Sequence, residues 1–358
     1  MTRSNNNPWL NRFAILTAIA TLALIGIGGL VTSHGAGMAV PDWPTTYGYN
    51  MFLFPISQWV GGIFYEHTHR LAASLVGLLT TLLAVWLWLK ESRAWVRWLG
   101  VIAFFGVVFQ GVLGGLRVTL YKDQIGIFHA LLAQLFLVLV SVIALVTSRW
   151  WQTQLGVLGT LRISRGLRQL FVLTTLMILI QLVLGATMRH QHAGLAIPDF
   201  PLAYGKIWPP MDAVSLEVMN RTRLDTRDFR PISAFHIGVH MAHRIGALLV
   251  LVAVAGCAIK SHRSAPHAML LAKMCRFWFA LILLQAGLCA FTIWGNKPAD
   301  VATLHVVFGA VILVVGAQLT LVSYAQSWKM TPELEDRHEP ASVDWVNSGA
   351  RVGLHNVS

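Results

Sequence analysis

Acidic residues are scarce in this chain. Its 358 residues include 15 Asp and Glu against 27 Lys and Arg, giving a formal charge of +12 with only 12% of positions charged. With 56% hydrophobic residues and a mean hydropathy of +0.62, that composition excludes a large soluble core. Cysteine is nearly missing as well. Cys257, Cys275 and Cys289 fall in or beside late apolar runs without metal-ligand spacing, so packing is their reading. Lys and Arg are also absent from particular loops: residues 33–60 have neither, while 119–124 and 296–300 hold only Lys122 and Lys297.

What the chain has in quantity is long apolar runs. About eight have membrane-spanning length: 13–32, 64–89, 99–118, 125–147, 168–189, 237–259, 277–295 and 301–325. Basic residues gather in the alternate loops: Lys90, Arg93 and Arg97; Arg149, Arg162, Arg165 and Arg168; Lys260, Arg263, Lys273 and Arg276. By the positive-inside rule those loops and both termini are cytoplasmic. The same bias accounts for most of the net charge and calls for no nucleic-acid partner. The first run is too long for a cleaved signal and is expected to remain as a span. No Arg/Ser-rich transit segment precedes it, which points to a bacterial plasma membrane.

By this segmentation Glu66 is the one acidic residue inside a span. On a helix it shares a face with His69 and Arg70, at i+3 and i+4. A carboxylate, an imidazole and a guanidinium are costly in hydrocarbon, which makes this cluster a functional candidate.

The chain also repeats itself. Residues 37–48 (GMAVPDWPTTYG) match 194–205 (GLAIPDFPLAYG) at seven of twelve positions, and Met/Leu, Val/Ile and Trp/Phe swap like for like. The second and sixth spans open on Glu66-His67-Thr68-His69-Arg70 and His240-Met241-Ala242-His243-Arg244, the fourth and eighth on Phe128-His129-Ala130 and Leu304-His305-Val306. Each half is thus four helices, and an even number gives parallel repeats about an axis along the membrane normal. The second outer loop is longer and includes the charged stretch 220–230, expected at the outer surface.

His69, His129, His243 and His305 each fall four to six residues below the outer end of their spans, roughly 6–9 Å deep. Two such imidazoles per four-helix half can supply both axial positions of a haem iron. A zinc or copper site would want further ligands, which each half lacks. Hydrogen-bonded packing is the competing reading of each histidine. Arg70 and Arg244 are either snorkelling anchors or partners of outward-pointing haem propionates. Glu66, replaced by His240 in the second half, is either an acid that shuttles protons or stabilises a developing cation, or a structural partner of Arg70. That asymmetry argues for one substrate site and one electron-transfer site. His67 points away from Glu66 and is placed against a neighbouring helix. His34, His190, His192 and His236 read as surface residues of the outer loops. The Pro-Asp-aromatic-Pro segments are rigid turns, serving as lids over haem edges or as interfacial anchors. Gln110, Gln181 and Gln285 are placed to tie helices together.

Taken together, Glu66-x-x-His69-Arg70, His129, His243-Arg244 and His305 over eight spans resemble the haem A synthase family across about residues 10–325. The resemblance implies an oxidoreductase that converts the C8 methyl of haem O to the formyl of haem A for cytochrome c oxidase. It implies His69 and His129 at the substrate haem with Arg70 beside them, His243 and His305 with Arg244 at a haem b cofactor, and Glu66 as the catalytic carboxylate. A farnesyltransferase supplying haem O and an electron donor or acceptor are the implied partners, and association into a homo-oligomer stays open. Many bacterial members carry a cysteine pair in the first outer loop. Residues 33–60 have none, so a thiol relay is not implied here.

The expectation is therefore an all-α membrane protein: residues 1–150 as the half with the substrate haem, 151–166 a cytoplasmic linker, 167–326 the haem b half, and 327–358 a disordered cytoplasmic tail. Two rivals remain. A two-haem cytochrome b-type electron carrier has no need of an acid in one half only. A haem or metal transporter would more naturally show a broken helix at the midplane.

Overall fold

The computed structural model describes residues 7–158, 163–223, 231–264 and 269–325. Among them the regular elements are helices: α1 Pro8–Ser33, α2 Gly61–Lys90, α3 Ala94–Thr119, α4 Asp123–Val146, α5 Arg149–Leu158, α6 Arg165–His190, α7 Ala213–Thr222, α8 Ala234–Ser264, α9 Met269–Trp294 and α10 Ala299–Tyr324. All but α5 and α7 are long and apolar enough to cross a bilayer, which gives the expected eight. Most begin a few residues before the apolar runs do, because helical hydrogen bonding continues beyond the hydrocarbon-length stretch. Asn7 caps α1, accepting from the Trp9 and Leu10 amides at 3.1 and 3.2 Å, with Pro8 at the first position. Ser164 caps α6 in the same manner.

The first four spans pack in a ring, α1 on α2, α2 on α3, α3 on α4 and α4 on α1. The spans α6, α8, α9 and α10 make a second ring, and the two meet along α1, α4, α6 and α10. Apolar packing is concentrated at one end of each ring. The first core includes Leu10, Ala14, Val76, Leu83, Leu87, Val140 and Ile143. The second includes Leu167, Phe171, Val254, Cys257, Cys275, Trp278 and Leu319. Both lie below the four histidines, so the packed ends brace the helices and leave the opposite ends to polar side chains.

Two helices fall where none was expected. The segment between the two rings opens on α5, which packs on α4, with Trp151 fully buried and its amide held by the Ser148 hydroxyl at 3.0 Å. In the longer second loop, α7 is capped by Asp212, which accepts from the Ser215 amide at 2.9 Å. Asn220 closes that loop by pairing with the Ile232 backbone, at 2.7 and 2.9 Å. The rest of the charged stretch, 224–230, and the tail from 326 lie outside the described residues.

Candidate functional site

The repeated dodecapeptides build two identical turns, and the positions they share are those the turn requires. Asp42 accepts from the amides of Tyr47 and Gly48 at 2.8 and 2.9 Å. Asp199 accepts from Tyr204 and Gly205 at 2.6 and 2.8 Å. Tyr47 and Tyr204 sit at positive φ and donate their hydroxyls to the Ala39 and Ala196 carbonyls. The following Gly48 and Gly205, at φ +79° and +70°, adopt a backbone that glycine tolerates freely.

Each turn is fastened to the helix that carries a candidate histidine. Arg70 donates to the carbonyls of Asp42 (2.7 Å), Thr45 (2.9 Å) and Val40 (2.8 Å). Arg244 donates to Asp199 (2.6 Å) and Leu202 (2.8 Å). Arg70 also pairs with Glu66 at 2.9 Å, and the other Glu66 oxygen accepts the Val40 amide at 2.8 Å. Both residues are buried. Glu66 and Arg70 thus hold the first loop down over α2. His240, in the place of Glu66, is also buried, and its Nδ1 has no hydrogen-bond partner.

Three of the four histidines face a glycine on a neighbouring helix. A Cβ on Gly28 of α1 would lie 3.0 Å from the His69 ring, and one on Gly185 of α6 would lie 3.2 Å from the His243 ring. Gly114 of α3 faces His129 at 3.5 Å. His69 and His129 lie within electrostatic reach of each other. Across the second ring, His243 and His305 present their rings 6.4 Å apart, centre to centre, at 63°. Two metal–nitrogen bonds of roughly 2 Å, with about 1 Å from nitrogen to ring centre at each end, span about 6 Å. Among the described residues no three His, Cys, Asp or Glu converge to hold an ion. The spacing of the His243–His305 pair therefore fits a metal that needs two axial nitrogens, with its equatorial ligands supplied by a macrocycle.

A glutamine on the neighbouring helix bonds the backbone carbonyl of three of the histidines. Gln110 donates to the His129 carbonyl at 3.3 Å, and Gln285 to that of His305 at 2.9 Å. Gln181 reaches the His243 carbonyl at 2.7 Å and its Nδ1 at 3.1 Å. His69 has no such glutamine, and the Nδ1 atoms of His69, His129 and His305 have no hydrogen-bond partner. The second pair is the more tightly oriented of the two.

Several histidines sit elsewhere than the sequence suggested. His67 faces the outer loop and not a neighbouring helix. It is fully buried, meets the Thr46 hydroxyl at 3.2 Å, and packs against Phe54 and Trp59. His190, read as a surface residue, is buried at the end of α6 against Gly126 of α4. His34 is exposed and stacks on Tyr65 at 4.0 Å. Trp43 lies against Gly115 of α3, and Phe200 packs on Trp294 of α9 at 6.1 Å, so each proline-flanked aromatic rests on the third span of its own ring.

Two arginines that the sequence reading passed over belong to this end of the molecule. Arg189 of α6 donates to the Gly29 carbonyl, to the Ser33 hydroxyl at 2.6 Å and to the Ala302 carbonyl at 3.4 Å, bolting α6 to α1 and α10. Arg117 of α3 stands within electrostatic reach of both His69 and His129. The available signal was a lone arginine inside each apolar run, which snorkelling explains equally well.

A family model described as cytochrome oxidase assembly protein, COX15-CtaA, matches residues 11–316. Curated relatives named heme A synthase are similar over long stretches. The one from Geobacillus kaustophilus is 25% identical over 322 residues, 88% of this chain and 91% of its own. That from Halalkalibacterium halodurans is 23% identical over 318 residues, 87% and 96%. That from Shouchella clausii is 29% identical over 222 residues, 60% and 70%.

Proposed function

The chain belongs to the COX15-CtaA family of cytochrome oxidase assembly proteins, and from that premise we propose that it is a haem A synthase. It is an oxidoreductase acting on haem O, whose C8 methyl is oxidised to a formyl group. His69 and His129 hold haem O; His243 and His305 hold haem b. The observation that carries this reading is the facing His243–His305 pair, 6.4 Å apart, with a second pair at the matching places of the other ring. In the same reading the two rings are parallel repeats, both termini are cytoplasmic and the histidines lie near the outer face of a bacterial plasma membrane. The charge bias of the loops supports that orientation.

When bound, haem b supplies one-electron transfer. The protein's own contribution is positional. Gly28, Gly114 and Gly185 leave room for imidazoles that face into the rings. Arg70 and Arg244 fix the loops that shield the sites from water. Glu66, held on one oxygen by Arg70 and on the other by the Val40 amide, is a fixed negative charge one turn from His69. Placed there, it stabilises positive charge that develops at the substrate carbon. A farnesyltransferase that makes haem O and an electron partner complete the expected setting.

One observation favours the electron-carrier rival: both Glu66 oxygens are taken up in holding the loop, a structural task that needs no chemistry. Expression of Glu66→Gln and Glu66→Ala, with haem O, hydroxylated intermediate and haem A quantified after acid-acetone extraction, separates the two. Haem O or the intermediate accumulates in both variants while both haem sites stay occupied. Wild-type haem A in both would remove Glu66 from the mechanism, and haem B alone in cells that make haem O would support the carrier.

A further inference from the structure

Among the described arginines at the histidine end, Arg117 is set apart by a buried Nε that no acceptor meets. Arg70 and Arg244 are occupied by loop carbonyls and Arg189 by α1 and α10. The Nε of Arg117 is enclosed without an acceptor among the described residues. The carboxylates it feels electrostatically are Asp123 first and then Glu66. A half-buried guanidinium with a donor left unmet is costly unless something else receives it.

Its position follows from the way α3 and α4 interleave. These helices are antiparallel neighbours, and glycines on each admit large side chains from the other. Gly114 of α3 faces His129, and three residues on, Arg117 faces Gly126, where a Cβ would lie 3.0 Å from Nε. Gly126 is likewise three residues from His129, so the two pairs sit one turn apart on a shared seam. Arg117 is the pair nearer the outer loops. There its terminal nitrogens lie against Gly37, where a Cβ would come within 2.6 Å, and Trp43 covers the adjacent Gly115. The imidazole of His190 closes the same corner from α6. In the second half the residue twelve before His305 is Ile293, where twelve before His129 is Arg117. The cation near the matching Gly194 is Lys297, on the turn between α9 and α10.

We propose that Arg117 is the carboxylate-binding subsite of the first ring, receiving a propionate of the porphyrin held between His69 and His129. This rests on the haem reading above and adds to it the group that orients the substrate in its plane. A macrocycle between two axial nitrogens can rotate about the axis that joins them. A bidentate guanidinium one turn above His129 fixes that rotation, and with it which ring methyl lies on the Glu66 side. Arg117 is thus a positioning residue, while Glu66 stays beside the reacting carbon.

The test compares haem O with its dimethyl ester, in which both propionates are neutral. Each is titrated into purified protein stripped of haem O but retaining haem b, and followed by Soret difference spectra. Wild type is expected to bind the free acid on the order of ten- to a hundredfold more tightly than the ester. Arg117→Gln lowers affinity for the acid to the level of the ester, Arg117→Lys recovers part of it, and haem b content and thermal midpoint stay at wild-type values in both. Equal binding of acid and ester by wild type overturns the subsite without disturbing the haem reading. So does an Arg117→Gln protein that still prefers the acid. Failure of wild type to take up either pigment overturns the haem reading and the subsite with it.

Discussion

Gly28 of α1 and His69 of α2 meet as closely as two helices allow, with the imidazole Cε1 3.0 Å from where a Cβ on Gly28 would be. Gly185 and His243 repeat the contact at 3.2 Å between α6 and α8. Such spacing leaves no slack, because the backbones approach through glycine and the rings fill what glycine vacates. Neither glycine needs an unusual backbone, since both lie within helices. Their identity answers to the histidine opposite.

The two contacts can be broken separately. Gly28→Val is expected to push His69 out of line and cost most of the haem O bound by the first ring, with haem b retained. Gly185→Val does the reverse. Pigment extraction and separation from each purified variant measure both. Loss of both pigments together in either variant would mean that the glycine supports the whole bundle and not one imidazole.

Gln181 makes the second prediction. Its amide nitrogen donates to the His243 carbonyl at 2.7 Å and lies 3.1 Å from Nδ1, holding the imidazole in one orientation. No residue does this for His69, whose Nδ1 is unpartnered. Gln181→Leu should weaken haem b retention by about ten- to a hundredfold and leave haem O uptake unchanged. Gln181→Glu should lower the midpoint potential of haem b, since a carboxylate acceptor increases the imidazolate character of the ligand. Redox titration checks the second outcome, and an unmoved potential would show that the amide orients the backbone only.

The span count and the histidine quartet were legible in the sequence because the bilayer imposes one length and one rule about charge. Apolar runs near twenty residues and four imidazoles at one depth survive any detail of packing. The doubled dodecapeptide was legible as a repeat but not as a structure. Its shared Asp, Tyr and Gly turn out to build the turn itself, and arginines 25 to 45 residues on hold it down, a relationship no periodicity reveals. His67 and His190 were misplaced because a helical wheel gives direction but not neighbour. One faces a loop, and the other reaches a glycine in the other ring. Arg117 went unread since an arginine near a span end has a cheap explanation in snorkelling, and only its unmet Nε argues otherwise. Trp151 lay in a stretch too short and too polar to be read as a helix that docks.

The Asp42 turn makes the last prediction. Burial alone would raise its carboxyl, but the Gly48 amide, the Thr45 hydroxyl and the Tyr47 amide outweigh this and hold it below the usual 3.8. A depressed folded value means that the turn draws stability from the ionised form. That contribution is complete above the unfolded value of 3.8 and is lost as pH falls through the lower folded one. The residue is only partly buried, so the loss is modest and local, with Arg70 still gripping the Asp42 and Thr45 carbonyls. Hydrogen exchange of the Tyr47 and Gly48 amides, corrected for intrinsic rates and read by mass spectrometry, should show protection at neutral pH that declines below about pH 4. In Asp42→Asn the amide oxygen still accepts but does not titrate, so protection begins lower and stays flat with pH. If the wild-type protection also stays flat across that range, the carboxylate does not govern the turn, and Arg70 alone holds the loop above His69.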